Sequence, residues 1–229
     1  MGSSSKTLNP ANPVDPGALL FPRYSTGEQI VDGMVHLIGV LASWIGALVL
    51  LWLGGMEGSP FLLASLAVYS VGLVMTFSFS AAYHLIHRPR PKEWLRRLDH
   101  AAIYIMIAGT YTPFALMVIG GPWGLGLLVA VWVVAVLGCA QKIFMPRRFE
   151  NTAVALCLAQ GWAVLLVLEP LLASVSTPVL ILLALGGGLY TLGVVFHLSY
   201  RRPYHTVAWH MLVLAAATCH YAAVVKALL

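Results

Sequence analysis

Seven stretches of this chain are each apolar over about the length that a helix needs to cross a bilayer, and they leave almost nothing over. A crossing takes roughly 20 predominantly apolar residues. The candidates run over 30–53, 61–86, 98–118, 123–140, 152–168, 178–199 and 206–229 of the 229 residues. Charged residues make up only 9% of the chain, where a soluble domain carries about a quarter. The expected fold class is therefore all-α, a polytopic bundle of seven transmembrane helices with no room for a soluble catalytic domain.

Ahead of the first apolar run, residues 1–27 are polar and rich in proline, lack the apolar core of a signal peptide, and read as a short tail to a membrane domain over 28–229. The tail also misses the myristoylation pattern, because Lys6 stands where Ser or Thr is required. Cys139, Cys157 and Cys219 all fall in or beside apolar runs, where reduced packing is the natural role for a thiol.

The basic residues set an expected orientation. Arg88, Arg90, Lys92, Arg96 and Arg97 follow the second run, Lys142, Arg147 and Arg148 the fourth, and Arg201 and Arg202 the sixth, whereas the odd-numbered connections hold Glu57 and Glu169 and no Lys or Arg. By the positive-inside rule the even connections and the N-terminus, with Lys6 and Arg23, are cytoplasmic and the C-terminus is outside. The net charge of +5 is thus a topology and headgroup signal. The expected partners are membrane lipids, with no nucleic acid.

On that map His36, His84, His87, His100, His197, His205 and His210 all fall near the cytoplasmic ends of their runs, and only His220 lies deeper. Glu28, Asp32 and Asp99 gather at the same level. Glu28, Asp32 and His36 are spaced i, i+4, i+8, one stripe of a helix, and Ser80, His84 and His87 share another face. Singly, these residues have bland readings: a histidine at a helix end is usually interfacial, and Asp99 can cap a helix that begins beside it. Jointly, an ionisable group within a membrane costs several kcal/mol unless paired or functional. Several histidines from different helices beside a carboxylate are what a metal site inside a bundle requires.

The blocks "GEQIVDGMVHLIG", "SAAYH", "LDHAAIYIMIAGTYTPF" and "PYHTVAWHMLVLAAATCHYAAV" resemble the signature blocks of the hemolysin III proteins, the bacterial branch of the progestin and adiponectin receptor family. The likeness covers essentially the whole chain after the tail. It implies a seven-helix protein of the bacterial cell (inner) membrane with its N-terminus inside. It also implies a zinc ion near the cytoplasmic side, held by three histidines, one from the second helix and two from the seventh. Carried across, the second-helix ligand is His84 with Ser80 as its hydroxyl neighbour, the later seventh-helix ligand is His210, and the aspartate that contacts the metal's water is Asp99. The receptors show H-x-x-x-H on the seventh helix. Here the spacing is H-x-x-x-x-H, with Thr206 four before His210, so the third ligand is assigned to His205 with His197 as the rival. Asp32 replaces the Asn usual in the bacterial first block, and Glu28, Asp32, His36 and His197 are taken as supporting residues.

Zinc with three protein ligands leaves a position for water, lowers its pKa and makes it a nucleophile toward an amide or ester. The resemblance therefore implies a zinc-dependent hydrolase of a membrane lipid, with Asp99 as general base and Ser80 beside it. A hemolysin-like pore and a zinc-stabilised sensor without turnover are the alternatives. A pore should be lined by polar side chains across the whole membrane, and here they cluster at one end.

Overall fold

The computed structural model describes residues 24–86 and 88–229, with the side chains of 89 and 90 left out. Most of the expected tail, with Lys6 and Arg23, and the expected interfacial His87 therefore lie outside the described residues. The helices are α1 (Thr26–Met56), α2 (Pro60–Leu85), α3 (Pro89–Pro113), α4 (Gly121–Phe144), α5 (Glu150–Gly161), α6 (Leu168–Ser174), α7 (Thr177–His197) and α8 (His205–Leu228). Seven spans result, because α3 runs on through a π-helical turn, Phe114–Ile119, and α5 and α6 are halves of one span joined by a 3-10 turn, Ala163–Val167. The all-α, seven-span expectation holds: in lipid only helices or closed barrels satisfy every backbone group.

Local chemistry starts the first span. Ser25 accepts the Glu28 N–H at 3.3 Å while Glu28 Oε2 accepts the Ser25 N–H at 2.8 Å, a reciprocal cap. The buried residues of α1, Asp32, His36, Gly39, Ser43, Ala47, Leu50 and Gly54, recur every three or four positions, so a single stripe faces the bundle. The remaining faces carry Leu37, Leu41, Trp44, Leu48 and Trp52, all exposed, a surface suited to hydrocarbon.

Spans two and three approach until backbone meets backbone. A Cβ at Gly72 would lie 3.2 Å from both Ile105 O and Met106 Cα, and one at Gly109 would lie 3.2 Å from Val68 O. Small residues at such a crossing let the helices close. Thr76 Oγ1 then donates to Ala102 O at 3.1 Å across the seam. In span five, where the helix breaks, Tyr111 of span three substitutes for the missing backbone partners: its hydroxyl accepts Val164 N–H at 3.0 Å and donates to Gly161 O at 2.7 Å.

One boundary differs in a way that changes a residue's role. The apolar run places the start of the third helix at Leu98, with Asp99 available as its cap, but the helix begins at Pro89. Proline at the first helical positions suits a helix start, and the charged segment that follows hides the extra turns from an apolar-run criterion. Asp99 therefore lies well inside α3 and is 8% exposed, which removes the capping role.

Candidate metal centre

Asp32, His36, His84 and His210 converge from the first, second and seventh spans. One donor atom from each lies within 4.8 Å of the others. Asp32 is the hub: Oδ1 stands 2.6 Å from His210 Nδ1, and Oδ2 stands 3.3 Å from His36 Nε2 and 3.5 Å from His84 Nδ1. The rings crowd together, His36 and His84 stacked at 5.0 Å between centroids and His84 and His210 edge-on at 4.5 Å.

Three imidazoles and a carboxylate are a donor set suited to zinc and other imidazole-preferring divalent metals. His36 Nε2 is buried and, despite its nearness to Asp32, makes no aligned hydrogen bond. Such an atom is costly unless something else satisfies it. Donors about 2 Å from a tetrahedral zinc stand about 3.4 Å apart, so a small contraction of the group would close it around an ion.

His36, His84 and His210 form part of the wall of a cavity of about 240 Å³, which Ser80, Asp99, His100, His197, His205 and Thr206 also line. His197 and His205 therefore share the chamber without joining the four-residue group. His197 packs its ring 5.1 Å from that of Trp209, and His205 lies between Tyr24 at 6.2 Å and Tyr200 at 6.0 Å. Thr206 donates to the Tyr24 hydroxyl at 3.1 Å, and burial holds that phenol above its ordinary range. Glu28 lies below the group, where its Oε1 accepts the Tyr204 N–H at 2.7 Å and ties the first span to the start of the seventh. Tyr204 has φ 57, a left-handed conformation uncommon for a non-glycine residue. His220 faces a second, adjoining chamber of about 370 Å³, whose lining is mostly apolar and which shares Phe77, Val194 and Trp209 with the first.

Sequence reasoning makes Asp32 and His36 supporting residues, and in the structure their side chains converge with those of His84 and His210. The spacing of Glu28, Asp32 and His36 announces the stripe, but not how far the first span turns toward the second and seventh. An ion pair on the cavity wall, buried Lys142 with half-buried Glu150, escapes a sequence reading that counts Lys142 as a topology charge.

The fold and this centre define a multi-pass membrane protein with a buried carboxylate–histidine group able to hold a metal ion. The profile of the haemolysin-III-related family matches residues 24–221. The chain is 34% identical to hemolysin-3 of Bacillus cereus over 190 residues, covering 83% of this chain and 87% of that one. It is 35% identical over 198 residues to the hemolysin-3 homolog of Bacillus subtilis (strain 168), covering 86% and 93%. The human monocyte to macrophage differentiation factor is 28% identical over 165 residues, covering 69% and 68%. The chain belongs to the haemolysin-III-related family.

Proposed function

We propose that this protein is a zinc-dependent hydrolase of a lipid amide or ester, seated in the bacterial cell membrane and acting in membrane-lipid homeostasis. The observation that carries the reading is the pairing of two adjoining chambers: one walled in part by His36, His84 and His210 together with Asp99, and a second whose lining is almost wholly apolar. An amphiphile has the same two parts. A pore would need a polar path through the outer chamber as well, and that chamber is mostly apolar.

His84 and His210 would hold the ion with Asp32 and His36 at their sides, and bound zinc would supply Lewis acidity and an acidified water. Asp99 would take the proton from the attacking water and return it to the leaving amine or alcohol. Ser80 would orient that carboxyl. Phe77, Val194 and Trp209 at the junction of the chambers would hold the acyl chain so that its carbonyl stays beside the polar group.

Purified protein incubated with N-acyl and O-acyl lipids, with and without zinc, should release fatty acid only when zinc is present. Asp99→Asn should keep the metal and lose the release. Release unchanged by a chelator, or by Asp99→Asn, would sink the reading.

A further inference from the structure

Lys142 lies on the wall of the histidine-lined chamber, near the end of α4 and 6% exposed, and the histidine group makes no use of it. Its ammonium pairs with Glu150 Oε2, while Glu150 Oε1 accepts from Arg96 at 3.3 Å. One carboxylate thus serves two cations. Arg96 reaches Glu93 at 3.4 Å, and Arg97 and Arg147 crowd the same Glu93 at 3.6 and 2.7 Å. Lys142 and Glu150 are the members of this network that line the chamber. Arg96 Nε, buried, has no hydrogen-bond partner.

An ammonium has three donors, and Glu150 engages one. Beside it His100 lines the same chamber and makes no hydrogen bond among the described residues. A cation within a span is costly unless its charge and donors are met, and the direction left open to Lys142 is the chamber. Phosphate, with several acceptor oxygens and negative charge, meets both needs. The adjoining apolar chamber, reached past Phe77 and Trp209, argues that the phosphate arrives attached to acyl chains.

We propose that Lys142, with His100 beside it, forms a subsite for the phosphate of a phospholipid headgroup, so that the lipid taken into this cavity is phosphate-bearing rather than neutral. The subsite rests on reading the cavity as a lipid site and names the substrate class within that reading.

The test compares dioleoylphosphatidylglycerol, dioleoylglycerol and inorganic phosphate on the purified full-length protein in neutral detergent, by native mass spectrometry and thermal melting. A charge-assisted contact of this kind carries about tenfold or more in affinity, so the phospholipid should bind at least tenfold tighter than dioleoylglycerol and raise the melting temperature. Lys142→Gln, which leaves Glu150 paired with Arg96, should erase that preference without weakening dioleoylglycerol, and Lys142→Arg should retain it. Equal binding of the two lipids by the native chain, which needs no variant to fold, would overturn the proposal. So would an undiminished preference in Lys142→Gln, or inorganic phosphate protecting as well as the phospholipid does. Binding is read without turnover: preference without hydrolysis strikes the hydrolase reading alone, and hydrolysis without preference strikes the subsite alone.

Discussion

His210 Nδ1 lies 2.6 Å from Asp32 Oδ1, joining the first and last spans across 178 positions of sequence. Because the nitrogen facing the carboxylate is Nδ1, Nε2 is the nitrogen left for a metal. A carboxylate on the far side of a ligating imidazole fixes its tautomer and raises its basicity.

Asp32→Asn keeps the size of the hub and removes its charge. Zinc affinity, measured by chelator competition on purified protein, should fall about 10- to 100-fold if the carboxylate orients and charges the histidines. His210→Ala should do more, leaving Asp32 a buried carboxylate short of a partner, a defect that costs roughly 3–5 kcal/mol when a buried pair is broken. Its melting temperature should therefore drop along with its metal content. Zinc binding unaltered in Asp32→Asn would separate this carboxylate from the metal centre.

How the spans are held bears on the same centre. Gly72→Leu would drive a side chain into the backbone at Ile105 and Met106, and overpacking of this kind costs about 1–3 kcal/mol or more. Ser80 and His84 lie on the second span and Asp99 on the third, so separating the two should lower both thermal stability and zinc affinity. Gly55→Leu, at a position where a Cβ meets nothing within 4 Å, is the control and should change neither. A Gly72→Leu protein that melts and binds zinc like the native chain would show that this close crossing does not position the centre.

Much of this is legible in the sequence because the governing signals are local. Apolar length gives the spans, and the i, i+4, i+8 spacing of Glu28, Asp32 and His36 marks a polar stripe on the first of them. Which histidines meet is not legible, since that depends on how three spans are rotated and on backbone contact at Gly72 and Gly109. Hydropathy also misreads charges that belong to helices: Arg96 and Arg97 look like loop residues, yet Pro89 starts the helix that carries them. Lys142 likewise looks like a topology signal until Glu150, eight residues on, closes back onto it.

Orientation rests on the basic even-numbered connections. Reporter fusions after Leu229 and in the connection around Arg148 should report opposite sides of the membrane, with the Arg148 fusion cytoplasmic. Both fusions on one side would remove the basis for placing the metal centre at the cytoplasmic end.

The identity of the remaining donors is the sharpest question that the geometry raises. On the seventh span, His205 and His210 are five apart, and at about 100° per residue five steps turn the side chain by roughly 140°. His205 is the first residue of α8, and its ring lies between Tyr24 and Tyr200 rather than with the group around Asp32. His36 is the imidazole that shares the carboxylate hub with His84 and His210. Zinc content of His36→Ala, His205→Ala, His197→Ala and Thr206→Ala, prepared side by side, decides among them, because losing one ligand leaves too few donors to hold the ion. The expected result is loss in His36→Ala and retention in the other three variants. Loss in His205→Ala with retention in His36→Ala would mean that the start of α8 turns inward when the metal binds and that His36 only lines the site. Retention in all four would leave His84 and His210 as the imidazole ligands, with Asp32 orienting them.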